Sequence, residues 1–269
     1  MTGIVVLRPD GAARAERLLA EEVPVAVEVN GVGYAVMMMT PADLDLFALG
    51  FMLTERLADR AADVLDSESV AVPDGIVLRV TLSAACAARI SDRVRHRTSD
   101  TGCGLCGIAG LEQLRRRAPR APSPRCAPGA IFTALTGLRA HQPGNAATGA
   151  LHAAALCDAH GAIVAAHEDV GRHNALDKLV GRIARDRLDA AAGLVLVTSR
   201  ISFEMVDKAL ISGASMLVGV SAATTLARDH ARTHGLTLAA LARADAVQLL
   251  NDPWGLVAEE GLEPPTRGL

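Results

Sequence analysis

The sharpest chemical feature of the chain is a pair of thiols among three glycines, Thr101-Gly102-Cys103-Gly104-Leu105-Cys106-Gly107. Glycine lets the backbone turn tightly and lets a bulky partner reach the sulfur. A helix beginning just after Gly107 would set its dipole and unpaired N–H groups against the pair and favour thiolate over thiol. A thiolate at this position accepts sulfane sulfur from a donor persulfide, or closes a disulfide with its neighbour. Three other readings share the spacing: half of a zinc site, a thioredoxin-type redox pair, and a purely structural pair. Zinc prefers four protein ligands. No second C-x-x-C or close His pair follows, so Cys126 and one of the eight histidines would have to complete such a site. A redox pair normally follows a strand of a βαβ unit, whereas an Arg- and Ser-rich stretch precedes this one.

A second chemistry-bearing region lies further along. Glu168-Asp169-Val170-Gly171-Arg172-His173-Asn174 sets acid, base and amide groups at a strand-to-helix junction. A helix N-terminus is an anion site, Arg172 can fork onto a phosphate, and His173 and Asn174 can support it by hydrogen bonding. The competing reading is an ordinary helix start with a solvated arginine. Thr198-Ser199-Arg200-Ile201-Ser202-Phe203-Glu204 is a similar junction after an apolar run, and Ser221 follows another. Open α/β sheets bind ligands outside the carboxyl ends of their strands. Three such ends therefore predict one crevice for a large, phosphate-bearing ligand. His152 reads more readily as a packed side chain than as a metal ligand.

The elements that must position these groups are legible in part. Val23–Val29 and Val32–Met38 flank Asn30-Gly31, the strongest two-residue hairpin signal. Thr40-Pro41-Ala42-Asp43 predicts a helix start with Thr40 as cap. Ile76–Leu82 predicts a strand. Residues 84–145 read as loops around helices over 108–117 and 130–141. Two short strands, Ala153–Cys157 and Ala162–Ala166, flank a four-residue turn. A helix over His173–Arg187 follows, with Leu176, Leu179, Val180 and Ile183 on one face. The series then alternates: strand Leu194–Thr198, helix Phe203–Ser212, strand Met216–Val220, helix Ala222–His234, strand Leu236–Leu241. This order predicts an α/β fold with a parallel sheet covered by helices. The expected parts are a β-rich segment with one helix (1–100), the cysteine loop with connecting helices (101–147), an α/β core (148–255) and a disordered tail (256–269).

The chain has 269 residues, half of them apolar and 2% aromatic, with a net charge of −3. It lacks the basic field of a nucleic-acid binder, and Arg115, Arg116, Arg117 and Arg120 read as a solvated stretch. With no signal-peptide pattern and no apolar run approaching a membrane span, the expected location is the cytoplasm. Five cysteines in a reducing compartment argue against a disulfide framework.

Four segments together resemble one family. Cys103–Gly107, Thr148–Ala155, Glu168–Lys178 and Ser199–Glu204 are similar to the C-G-x-C-G, T-G-x-x-H-A-A-A, E-D-V-G-R-H-N-A-L-D-K and S-R-I-S-F-E segments of the formate dehydrogenase accessory sulfurtransferases, the FdhD/NarQ family. The resemblance implies a sulfur carrier that takes sulfur from a cysteine desulfurase as a persulfide on Cys103, with Cys106 as companion. It implies transfer to the Mo-bis(molybdopterin guanine dinucleotide) cofactor of the client, formate dehydrogenase. It also implies a homodimer, no structural metal, and a cytidine-deaminase-like layered core with a mixed, largely parallel sheet. By the same resemblance the cofactor meets the segment Leu241-Ala242-Arg243-Ala244-Asp245-Ala246, where Leu241 stands in place of an aromatic residue. Arg172, Arg200 and Arg243 are the expected phosphate or guanine contacts, with His173 and Asn174 beside them. The rival functions are a zinc-dependent hydrolase or deaminase on the same superfold, and a cofactor chaperone that transfers no sulfur.

Overall fold

The structure, a computed structural model, describes residues 1–94 and 118–257. Cys103, Cys106, Arg115 to Arg117, the helix expected over 108–117 and the tail from residue 258 lie outside the described residues.

Asn30 (φ 48°) and Gly31 (φ 78°) both take positive φ, so the hairpin of β3 (Val23–Val29) and β4 (Val32–Met39) forms as the sequence predicts. These strands join β5 (Val64–Val72) and β6 (Gly75–Leu82) in a four-stranded sheet of order β4-β3-β6-β5. A separate hairpin, β1 (Thr2–Arg8) and β2 (Gly11–Arg17), precedes it. Helix α1 (Leu44–Thr54) begins later than expected. Asp43, not Thr40, is its N-cap residue and sits in the left-handed region without a side-chain cap. Thr40 is engaged elsewhere, as described below. After α2 (Ala87–Val94) the described chain resumes at Ala118, and α3 (Gly129–Leu138) and α4 (Pro143–Thr148) lead into the second sheet.

That sheet has six strands in the order β12-β11-β10-β9-β7-β8. They are β7 (His152–Cys157), β8 (Ile163–Asp169), β9 (Leu194–Val197), β10 (Met216–Gly219), β11 (Thr237–Ala240) and β12 (Gln248–Asn251). Only β9, β10 and β11 pair in parallel. β7, β8 and β12 pair antiparallel. The sheet is thus mixed rather than largely parallel, because the turn at Asp158–Gly161 and the short link before β12 each reverse the chain. Helices α5 (Arg172–Asp186), α6 (Phe203–Ile211) and α7 (Thr225–His234) connect β8 to β9, β9 to β10 and β10 to β11. One apolar cluster joins one face of this sheet to α5, α6, α7, α1 and the inner face of the four-stranded sheet. A second joins α3 to the other face. No described helix is long and apolar enough to cross a membrane.

The two halves of the chain meet where α1 crosses α5. A Cβ on Gly50 would fall 1.8 Å from the Asp177 carbonyl oxygen, and one on Gly181 would fall 1.9 Å from that of Leu46. The helices therefore touch backbone to backbone at two glycines, closer than any side chain allows.

Candidate functional site

Because β9, β10 and β11 run parallel and β7 runs against them, one edge of the sheet gathers all the predicted junctions. Along it lie Asp169 at the end of β8, His152 at the start of β7, Ser199 and Arg200 after β9, Ser221 after β10, and Leu241 to Arg243 after β11. Strand spacing sets the span from β8 to β11 at about 19 Å, four intervals of roughly 4.8 Å.

The β8–α5 junction is built on a buried ion pair. Lys178 and Asp169 both have fully buried side chains with Nζ 2.6 Å from Oδ2. Lys178 also donates to the Thr40 carbonyl at 3.0 Å, and the Thr40 N–H donates to Asp169 Oδ2 at 3.2 Å. The other Asp169 oxygen accepts from Gly171 N–H at 2.8 Å and Asn174 Nδ2 at 3.0 Å. Asn174 also donates to the Met38 carbonyl at 3.0 Å. Asn174 is therefore turned inward. Its Nδ2 ties the β4 end to the α5 start. Glu168 accepts the Gly144 and Asn145 N–H groups at 2.8 and 2.7 Å.

Arg172 and His173 open α5, and Arg172 is half-buried. Among the described residues the guanidinium of Arg172 and that of exposed Arg200 make no hydrogen bond or ion pair. Arg243, also exposed, donates to the Val220 and Ala242 carbonyls. Leu241 is exposed and held at φ 49°, its N–H bonded to the Ser221 carbonyl at 3.1 Å. Ala242 is buried with its N–H on the Gly219 carbonyl, so its side chain faces the core. Ala244, Asp245 and Ala246 are exposed.

Sequence reasoning quoted Glu204 in a motif without assigning it a role. On α6 it lies against α5, with Oε2 3.5 Å from His173 Nε2 and without hydrogen-bond geometry. Both ring nitrogens of His173, Glu204 Oε2 and Ser202 Oγ are buried without a hydrogen-bond partner in the structure. Burial, with Lys208, Arg172 and His152 nearby, pushes His173 down to about 3. Burial pushes Glu204 up to about 7 against the pull of Lys208. The pair is thus a neutral imidazole beside a carboxyl group that titrates near neutrality. Burial also lowers His152, as does Arg172. Below them, Lys208 Nζ sits 2.6 Å from both Asp177 oxygens and 3.1 Å from Thr54 Oγ1. Burial works most strongly against the Lys208 ammonium, but Asp177, Glu55 and Glu204 together outweigh it and raise the lysine pKa. This triad of α1, α5 and α6 residues was invisible in the sequence. The only signal was a lysine and an aspartate on helix faces otherwise apolar.

The titrations have opposite signs. Unfolded His173 takes a proton below 6.5 but folded His173 only near 3, so its contribution to stability is lost as pH falls through that window. Folded Glu204 takes its proton near 7 and unfolded Glu204 near 4.5, so its contribution is lost as pH rises. Between these limits the two slopes oppose each other. Glu204→Gln should unmask the histidine. Relative to the wild-type chain, the variant should be about 2 kcal/mol less stable near pH 5 than near pH 7, at roughly 1.4 kcal/mol per pH unit per group. Urea titrations at the two pH values measure this, and parallel curves for the two proteins would disprove it.

Three cysteines are described. Cys86, Cys126 and Cys157 are all buried, and burial raises the Cys126 thiol and pushes Cys157 up to about 12. Among the described residues, no three His, Cys, Asp or Glu side chains are gathered as a metal ion would require.

Residues 20–256 match the FdhD/NarQ family. The chain is 47% identical over 240 residues to the sulfur carrier protein FdhD of Bordetella petrii, covering 88% of this chain and 86% of that one. It is 44% identical over 239 residues to the sulfur carrier protein FdhD of Variovorax paradoxus, with coverages of 88% and 86%. A crystal structure described as that of a formate dehydrogenase accessory protein from Desulfotalea psychrophila superposes with a TM-score of 0.74 at 26% identity, covering 94% of this chain and 97% of that one. The family match runs from the linker before β3 to past β12, through every junction of the sheet edge, and the chain belongs to the FdhD/NarQ family.

Proposed function

We propose that this chain is a cytoplasmic, homodimeric sulfur carrier for formate dehydrogenase, with Cys103 as the atom-carrying residue. The observation that supports this reading best is the 47% identity, over 88% of the chain, to a protein named as a sulfur carrier. In the first step the Cys103 thiolate attacks the outer sulfur of a cysteine desulfurase persulfide. The donor S–S bond breaks, the desulfurase leaves as a thiolate, and Cys103 becomes the persulfide. Cys106 shields or relays that sulfur. In the second step the S–S bond on Cys103 breaks, Cys103 leaves as the thiolate, and the outer sulfur passes to Mo-bis(molybdopterin guanine dinucleotide), bound as substrate along the sheet edge, whose reduced metal would supply the two electrons that make it sulfide. The span of about 19 Å between Arg172 and the Leu241–Ala246 segment suits an elongated dinucleotide. Arg172, Arg200 and Arg243 supply positive charge for its phosphates. The reading also takes the six-stranded sheet with α5, α6 and α7 on one face as a cytidine-deaminase-like core without its metal chemistry.

Cyanolysis tests the first step. Incubation with a cysteine desulfurase and cysteine should load about one sulfane sulfur per chain, and Cys103→Ala should load none while keeping its thermal transition. A Cys103→Ala variant that loads normally and still restores formate dehydrogenase activity in a deficient cell refutes the assignment.

A further inference from the structure

Buried charge is otherwise carefully paired around α5 and α6. Asp169 has Lys178, Asp177 has Lys208, and Asp207 has Arg56 at 2.9 Å and His230 at 3.2 Å. Glu204 departs from this pattern. Lys208, the cation that acts most strongly on it, is committed to both oxygens of Asp177 and to Thr54. The neighbour that touches Glu204 is a histidine with no hydrogen bond of its own, and the hydroxyl of Ser202, two residues earlier, is unpartnered too. Of the seven buried side-chain atoms without a hydrogen-bond partner among the described residues, four belong to these three side chains. They converge where the N-terminal turns of α5 and α6 meet the sheet edge, next to Arg172.

The charges facing this cluster are Arg172, His173 and Asp177 from α5, Lys208 from α6, His152 from β7, and Glu55 just past α1. Asp169 at the end of β8 acts on His152. Of these, Arg172 is the cation that is half-buried and uncommitted among the described residues. It favours the ionised form of Glu204. An anion that pairs with Arg172 cancels that support and adds repulsion of its own.

Resting on the reading of the sheet edge as a phosphate-bearing ligand's site, we propose that Glu204 is its proton acceptor. When phosphates of the ligand engage Arg172, the Glu204 carboxylate takes one proton from solvent, with His173 remaining neutral beside it. The ligand keeps its charge, the carboxylate becomes a carboxylic acid, and nothing else is oxidised, reduced or cleaved. Such a residue lets the edge accept a polyanion without stacking negative charge in a buried place, and it makes binding tighter as the pH falls.

The probe is diguanosine pyrophosphate, whose phosphates do not titrate near neutrality, so any proton exchanged belongs to the protein. Calorimetry in buffers of different ionisation enthalpy counts that proton. Near pH 7 the wild-type chain should take up about 0.4 proton per ligand bound for a shift of one unit, because free Glu204 is then about half ionised. Its affinity should fall about fivefold between roughly pH 6 and 8 for a shift of one unit on binding. Glu204→Gln should bind with no uptake and with a flat pH profile. An infrared difference spectrum of bound minus free protein should show a new protonated-carboxyl band in the wild-type chain and none in the variant. Binding without uptake, or uptake that persists in Glu204→Gln, overturns the proton role and leaves the ligand site standing. Failure of the probe to bind overturns the site and the proton role together.

Discussion

Gly181→Ala should cost the protein more than about 3 kcal/mol, at the upper end of what an added methyl does in a packed interior. Alanine is the better helix former by about 1 kcal/mol, so local propensity argues the other way and the packing term must win. It wins because the atom in the way is backbone. The new Cβ would stand 1.9 Å from the Leu46 carbonyl oxygen and 3.0 Å from the Gly50 nitrogen, and no rotamer change relieves either contact. The α1 and α5 helices would have to part. Parting them also pulls Thr54 on α1 away from Asp177 on α5, which Thr54 Oγ1 contacts at 2.7 Å. Gly137→Ala is the control, since its Cβ would meet nothing closer than Ile163 Cδ1 at 3.9 Å. It should be neutral or stabilising by up to about 1 kcal/mol. Urea titration of both variants decides the matter, and a Gly181→Ala midpoint equal to that of Gly137→Ala would mean the crossing can relax.

Lys178→Met should be comparably damaging. It leaves the Asp169 carboxylate with zero exposure and its strongest partner gone. Removing one member of a buried pair typically costs about 3–5 kcal/mol, whereas replacing both members with well-packed neutral groups is often close to neutral. The double variant Lys178→Met with Asp169→Asn should therefore recover most of the loss, because asparagine can still accept from Gly171 N–H. A double variant as unstable as the single one would show that Lys178 acts through its bonds to the Thr40 and Glu168 carbonyls rather than through charge. The local consequence also matters. This clamp fixes the β4–α1 link to the turn that presents Arg172 and His173, so loosening it should free that turn even where the chain stays folded.

The sequence made the alternating half of the fold legible, and for a plain reason. β9, β10 and β11 are buried on both faces, so each reads as an unbroken apolar run between amphipathic helices. β5 was missed because it is an edge strand with a register shift near Val64, so its apolar residues do not alternate cleanly. β12 was missed because one exposed and three half-exposed residues have no period to detect. The site divides the same way. The place of Arg172, His173 and Arg200 at the sheet edge was legible because polar residues directly after a strand must lie at its end. The inward bonds of Asn174 Nδ2 were not legible, because a helix N-terminus offers both an inward and an outward face and spacing alone does not separate them. The Thr54–Asp177–Lys208 triad unites residues more than 30 positions apart, and no local spacing links a polar residue on one helix to those on two others.

The burial of Cys86, Cys126 and Cys157 has a practical meaning for any thiol chemistry done on the intact protein. Three of the five cysteines are sealed inside the fold, and Cys157, with its thiol near 12, holds its proton at any pH at which the chain is handled. A small alkylating reagent applied to the native chain should therefore leave Cys86, Cys126 and Cys157 unmodified, and denaturant should release them. The difference between the thiol counts before and after denaturation is a built-in gauge of how much of a preparation is folded.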